Sequence, residues 1–148
     1  MLPNAKISEQ ASVLATFDPI SQGAATVTTG WISAANHERF QALIQTGVMG
    51  VSATLDGKLQ QATDASGTGA KDITGKAITQ IVKATGDNKQ AIINLRANEL
   101  DMNGGFNYFR LSLTVGTAAS LIAASVIGGV AKNMPASALN QAGIVQVV

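Results

Sequence analysis

The chain has 148 residues, of which 46% are hydrophobic and only 13% are charged, and its net charge is +1. Charged residues usually make up about 25% of a globular protein, so much of this surface must consist of uncharged side chains, as interfaces do. The small net charge supplies no general field for nucleic acid, and the absence of cysteine excludes disulfides, thiolate nucleophiles and cysteine-bearing metal sites.

No segment has the pattern of a targeting signal or a membrane span. The first ten residues, MLPNAKISEQ, lack the apolar centre of a secretion signal. The longest apolar run, 118–131, is interrupted by serine and glycine and is too short to cross a bilayer. We therefore expect synthesis in a cytoplasm and no membrane partner.

Short segments rich in β-branched or alternating apolar residues follow one another along the chain, separated by turn signals. Their spacing is typical of a β-sandwich or a barrel. The last segment is rich in alanine and would also suit a helix, but its double glycine and the strand spacing favour a strand. The predicted strands are residues 12–18, 25–33, 40–46, 51–61, 71–83, 90–100, 106–115 and 120–130.

Segment 58–81 has the clearest hairpin pattern in the chain. Two arms with alternating apolar residues flank a small, polar, glycine-rich loop, 64–70. Just before it, Asp56-Gly57 suits either a tight turn or a bulge in one long strand, and we prefer the bulge because the alternation continues beyond it. Asp18-Pro19 predicts the end of the first strand, and MNGG at 102–105 predicts another hairpin turn.

Composition changes after Lys132. The segment 133–148 has no charge, Pro135 at its start stops the preceding strand, and its last residues are mostly aliphatic. A free segment of this kind would be sticky. We therefore expect it either to pack on its own domain or to add a strand to a neighbouring molecule.

Residues that could support catalysis are few. The single histidine, His37, is next to Glu38 and Arg39, where we predict a solvated polar turn. No nucleophile elbow accompanies it, although residue order alone does not exclude a Ser-His-Asp triad. The nine acidic residues show no spacing that picks out a pair of facing carboxylates. The chain is therefore not predicted to be an enzyme, and a hydrolase would have to use His37.

The loop of the 58–81 hairpin superficially resembles a calcium-binding loop. Asp64 and Asp72 would be its acidic ligands, with oxygen-bearing residues between them. The other acidic positions and a closing glutamate are missing, and no GK[ST] phosphate motif follows. A hairpin tip that needs positive φ explains Gly67 and Gly69 more simply, so neither metal nor cofactor is predicted.

Four segments form a combined pattern: GWI at 30–32, FQALIQTG at 40–47, LQQATDASGTGAKDITGKAITQI at 59–81 and NYFRLSLTVGTAAS at 107–120. This combination resembles a family of small virion structural proteins of tailed bacteriophages. The resemblance covers the chain to about residue 130 and brings no catalytic residues with it. It implies a β-sandwich at the virion surface that decorates or cements the capsid.

Pattern and resemblance together predict an all-β fold. We expect a single antiparallel β-sandwich of the jelly-roll kind, with about eight strands and extended N- and C-terminal arms. The β-sandwich domain would span 1–132 and the apolar tail 133–148. The resemblance implies the major capsid protein and copies of the chain itself, as a trimer, as partners. The residues expected to contact neighbouring subunits are Met1, Leu2, Pro3, Ile144, Val145, Val147 and Val148.

Other roles on a virion remain open from the sequence. A head-tail connector or another tail component would use a similar β-sandwich. A receptor- or carbohydrate-binding module of a tail or head fibre would present an exposed aromatic residue beside the Asp64–Asp72 loop. Trp31, Tyr108 and Phe109 are the aromatic residues that would form its stacking platform, although aromatic residues make up only 4% of the chain and are needed for the core.

Overall fold

The computed structural model describes residues 3–148, so the predicted contacts of Met1 and Leu2 lie outside the described residues. The strands are β1 Ala11–Gln22, β2 Ala25–Thr28, β3 Ile32–Ser33, β4 His37–Met49, β5 Thr54–Ala62, β6 Lys71–Ala77, β7 Ile81–Val82, β8 Gln90–Arg96, β9 Tyr108–Gly116 and β10 Ser120–Ala131. The helices are α1 Ile7–Gln10 and α2 Lys83–Gly86, with 3-10 helices η1 Ala97–Glu99, η2 Met102–Gly104 and η3 Ala136–Leu139. No helix within residues 3–148 is long and apolar enough to span a membrane.

The strands form two antiparallel sheets. A four-stranded sheet has the order β1-β10-β4-β8, and a six-stranded sheet has the order β2-β9-β5-β6, with β3 beside β9 and β7 beside β5. Since β2 with β3 and β6 with β7 are each one interrupted pass of the chain, eight passes remain. Their orders, 1-8-3-6 and 2-7-4-5, are those of a jelly roll. The predicted antiparallel sandwich with about eight strands is therefore confirmed.

The core lies between the two sheets and is filled by alternate residues of the long strands. On β9, Phe109, Leu111, Leu113 and Val115 are all buried, as the alternation predicts. Phe40 of β4 faces Phe109 across the core, with ring centroids 4.6 Å apart. Phe40, Ala42 and Ile44 of β4 are all buried, and the two sheets meet through an aromatic contact.

Some local predictions differ from the structure. Asp18-Pro19 does not end the first strand, because β1 continues to Gln22 with irregular pairing to β10 between Phe17 and Ile20. Proline is tolerated there because β1 is an edge strand. Asp56-Gly57 lies within one long strand, as predicted, but its pairing with β9 is regular. The irregularity of β5 instead lies in its pairing with β6.

Two segments, residues 102–105 and the N-terminal lead-in, contain short helices where other conformations were predicted. Residues 102–105 form η2 and a left-handed Gly105, with φ of 77°, instead of a tight hairpin turn. The N-terminal lead-in is not wholly extended, since residues 7–10 form α1. The Glu9 carboxylate accepts a hydrogen bond from the Lys6 backbone N–H at 2.8 Å, which stabilises this single turn.

The tail packs on its own domain as far as Gln141. Ala136 is fully buried, and Val13 of the edge strand β1 forms hydrogen bonds with the tail. The Val13 N–H donates to Asn140 Oδ1 at 2.8 Å, and its carbonyl accepts from the Gln141 N–H at 2.8 Å. Beyond this point the chain is largely uncovered. The division between domain and tail at residue 132 stays a prediction.

Candidate interaction surface

The outer face of the four-stranded sheet carries no charge over most of its length. β10 has no charged residue at all, and its outward side chains lie beside uncharged ones of β4 and β8. Leu43, at the centre, is in register with Ser125 on one side and with Ile92 on the other. We call this surface the neutral face, and it consists of Gln41, Leu43, Gln45, Gln90, Ile92, Asn94, Leu121, Ala123, Ser125 and Ile127.

Large aliphatic side chains of the neutral face are open to solvent. Ile92 is 52% exposed and Leu121 is 45% exposed. Between them lie amide side chains, which both donate and accept hydrogen bonds. A surface of mixed amide and aliphatic groups without charge has the composition of an interface core, where charged residues are depleted.

The outer face of the six-stranded sheet is different, because it holds a charged network across three strands. Lys58 donates to Asp72 at 2.8 Å, and the Gln60 amide donates to the same carboxylate at 2.8 Å. Arg110 Nε in turn donates to Gln60 Oε1 at 2.9 Å. Such groups are well hydrated when exposed, so the two outer faces of the sandwich differ sharply in polarity.

Both edges of the four-stranded sheet are covered at defined points. The tail covers β1 at Val13, as described above. On β8, the Asn94 carbonyl accepts from Lys76 Nζ at 2.9 Å, and the Arg96 N–H donates to Glu99 Oε2 at 2.7 Å. Because these groups are already bonded, a new strand would have to displace them to pair there. Contact with another molecule is therefore easier across the neutral face than along its edges.

His37 is not in a solvated turn, so that prediction is wrong. It begins β4, is only 1% exposed, and its Nε2 lies 2.8 Å from the hydroxyl of Ser12, which is also buried. The charged neighbours Glu38 and Arg39 are both exposed, and strict alternation would place His37 on the same outward face as Arg39, so the sequence pattern gives no signal for its burial. Gly128 makes room for the ring, since a Cβ there would lie 2.8 Å from the imidazole.

The Ser12–His37 pair does not form a triad. His37 Nδ1 is buried and has no hydrogen-bond partner within residues 3–148, so no carboxylate orients the ring. Burial lowers the pKa of His37, which keeps the imidazole neutral. Since Ser12 is 2% exposed, a substrate has no access to its hydroxyl. The pair is therefore a structural contact between β1 and β4.

The two candidate metal ligands are each engaged by their own chain. Hydrogen bonds from Thr68, followed by those from Ser66 and Gly67, lower the pKa of Asp64. The hydrogen bond from Lys58, with a second from Gln60, lowers the pKa of Asp72. Within residues 3–148, no three His, Asp or Glu side chains come together as metal ligands. The loop geometry is thus explained by hydrogen bonds within the protein.

Calcium is therefore expected to leave the stability of the chain unchanged. A ligand that binds the folded state raises the melting temperature as its concentration exceeds its dissociation constant. We expect the same melting temperature in EDTA and in millimolar CaCl₂, with MgCl₂ as an ionic-strength control. A rise with calcium alone, lost in Asp64→Asn, would show that the loop does bind the ion.

The aromatic platform of the carbohydrate-binding alternative is not assembled. Phe109 is in the core, and Trp31 and Tyr108 are half-buried. Trp31 does lie beside the loop, but the Arg110 guanidinium is 4.4 Å from its ring centroid. Gly67 approaches so closely that a Cβ there would be 2.5 Å from Trp31 Nε1. The indole is thus occupied by its own chain and holds the loop in place.

The predicted contact residues at the chain ends are open to solvent to different degrees. Pro3 is exposed and Ile144 is half-buried. Val145, Val147 and Val148 are 99%, 48% and 92% exposed. The structure therefore leaves most of these side chains accessible. The neutral face was missed by sequence reasoning, although the uncharged composition of β10 was a signal for it.

No protein-family model matches the sequence, and no curated protein matches it. Among solved structures, the SPBc2 prophage-derived protein YomS has a TM-score of 0.45 and 6% identity, with 80% of this chain and 93% of that chain covered. A broad bean stain virus structure has a TM-score of 0.47 and 11% identity, covering 90% of this chain and 92% of that one. A CBM4 structure has a TM-score of 0.42 and 11% identity, with 69% and 60% covered. Likeness at this level carries no argument about function, and the jelly roll is defined here by strand order.

Proposed function

We propose that this chain is a non-enzymatic structural protein of a phage virion, which decorates or cements the capsid surface through contacts with the major capsid protein and with copies of itself, as a trimer. The neutral face is the observation that supports this role most. An uncharged sheet face with exposed Ile92 and Leu121 gains from being covered by protein. The resemblance of four sequence segments to phage virion proteins suggests the setting.

The size of the neutral face is that of the centre of a contact. Its three strands, about 4.8 Å apart, make it about 14 Å wide, and seven residues of β10, 121–127, make it about 23 Å long. Its flat area of about 320 Å² is a little under half of the roughly 800 Å² that each partner contributes to a standard interface. Flanking loops and the chain ends would supply the remainder in this proposal.

Replacing Ile92 by aspartate is expected to weaken capsid binding about 10- to 100-fold. The change removes an aliphatic group worth about 1.5–3 kcal/mol when buried and places a charge in the contact. Purified protein is added to capsids from a phage that lacks this gene, and bound protein is measured by cosedimentation. Electron microscopy of labelled protein shows whether it covers the head or only the neck and tail.

Val82→Asp provides a matched control for this experiment. Val82 is also a β-branched strand residue and is 39% exposed, but it lies on β7, away from the neutral face. We expect Val82→Asp to bind capsids like the wild type. Equal binding by Ile92→Asp would contradict a role for the neutral face, and absence of wild-type binding to the head would contradict decoration. Binding confined to the neck or tail would favour a connector instead.

The receptor- or carbohydrate-binding alternative has less support. An aromatic residue does lie beside the Asp64–Asp72 loop, but Trp31 is covered by Arg110 and Gly67. A glycan array with the wild-type chain would revive this alternative if it revealed binding that Arg110→Ala abolishes. The geometry therefore favours a contact with protein over a stacking site for sugar.

A further inference from the structure

A second apolar surface lies at one end of the sandwich, outside the neutral face. We call it the end groove, and it lies between α1, the last residues of β10 and the start of the tail. It encloses about 340 Å³. Its lining includes Ile7, Arg39, Val130 and Met134.

The side chains of the end groove are mostly apolar and open. Ile7 is 83% exposed, Val130 is 54% exposed and Met134 is 45% exposed. Among the described residues that line the groove, Arg39 is the one that carries a charge, and none is acidic. The groove is therefore suited to an apolar segment that carries no cation.

Val130 lines the end groove and has a strained backbone conformation. Its φ is 53°, in the left-handed region that residues branched at Cβ rarely adopt. This strained conformation does not bury the side chain, because the isopropyl group remains largely exposed beside Ile7 and Met134. Strained residues of this kind cluster at sites of contact and binding. A contact outside the single chain would provide the missing burial.

The tail of the same protein has the chemistry that the groove fits. Gln141 is held on β1, since its side chain donates to Thr16 Oγ1 at 3.1 Å, and the Ile144 N–H donates to the Gln141 carbonyl. The segment IVQVV, residues 144–148, has no charged side chain, and Val145 is 99% exposed. The chain thus has an uncovered apolar segment and an uncovered apolar groove at different places on its surface.

We infer that the end groove binds segment 144–148 of a second copy of this chain. The contact joins two different surfaces, so it runs head to tail and closes a ring when the rotation between copies allows it. A trimer is one such ring. The inference rests on the proposed assembly role and specifies how copies of the chain bind one another, separately from how they bind the capsid.

Val130→Gly separates this role from a purely structural one. Glycine adopts positive φ freely, so the variant is expected to unfold at a higher temperature or at the same temperature as the wild type. It also removes an aliphatic group from the contact, so self-association is expected to weaken about 10-fold or more. Sedimentation velocity of the full chain over a range of concentrations measures this association in the absence of capsids.

Thr117→Gly is the matched control. Thr117 is also branched at Cβ, has a φ of 68°, and is exposed in the turn between β9 and β10. This variant relieves the same kind of strain, and its self-association is expected to equal that of the wild type. Equal association by Val130→Gly, or a wild-type chain that is monomeric at every concentration, would overturn the inference. Capsid binding by a monomeric wild type would leave capsid decoration standing and would remove only the contact between copies of the chain.

Cysteine pairing distinguishes binding between copies from folding back within one copy. The chain has no cysteine, so Met134→Cys and Val147→Cys each introduce a single thiol. When the two variants are mixed and oxidised, a disulfide between separate chains is expected, because the two positions meet in the groove. If a chain carrying both substitutions closes only on itself, and the mixture forms no cross-linked pair, the segment occupies its own groove and the inference is wrong.

Discussion

Replacing Gly67 by alanine is expected to lower the free energy of unfolding by about 2–5 kcal/mol. Gly67 has a φ of 88°, and left-handed backbone costs a residue with a Cβ about 1–2 kcal/mol. A Cβ would also lie 2.5 Å from Trp31 Nε1, and relieving such a clash costs about 1–3 kcal/mol. Urea unfolding measures the change, and the single tryptophan reports by fluorescence whether the native indole has moved.

Gly69→Ala is the matched control in the same loop. Its φ is 66°, but its Cβ would meet Phe106 at 3.6 Å, an ordinary contact distance. Only the backbone term of about 1–2 kcal/mol is expected there, with unchanged tryptophan fluorescence. If both variants lose the same stability and neither alters the fluorescence, the contact with Trp31 does not hold the loop.

The hairpin around this loop shows what the sequence could reveal. Alternating apolar residues predict the arms, and Gly67 and Gly69 predict positive φ, because both properties are local. The contact with Trp31 joins residues that are far apart along the chain, so no spacing rule predicts it. For the same reason the sequence suggested Trp31 as an exposed platform, whereas the structure uses its ring to fix the loop.

The neutral face shows why an interaction surface is harder to predict than a core. Low overall charge indicates that some uncharged surface exists, but not where it lies. Leu43 interrupts the alternation of apolar and polar residues along β4, and Ile92 interrupts it along β8. They form one patch only because the jelly-roll order places β8 and β10 on either side of β4. Strand order depends on long-range pairing, which local patterns do not specify.

The stability of the fold is expected to fall as the pH is lowered from 7 to 5, because of His37. Burial lowers the pKa of His37 in the folded state, while in the unfolded chain it is about 6.5. Below pH 6.5 the unfolded state therefore binds more protons than the folded state, and acid favours unfolding. The slope reaches at most about 1.4 kcal/mol per pH unit and ends at the folded-state pKa.

His37 is the only histidine, so this pH window isolates it from the acidic residues. Carboxylates whose pKa is lowered, such as Asp72 paired with Lys58, contribute stability that is lost only as the pH falls below about 4. Urea unfolding at pH 5, 6 and 7 is therefore expected to reveal a slope in the wild type that His37→Gln removes. Ser12→Ala should lower stability at every pH by about 1 kcal/mol and keep the slope, because burial and not the serine hydroxyl lowers the pKa. A wild-type stability that is flat between pH 5 and 7 would mean that the imidazole is protonated as easily in the fold as in water.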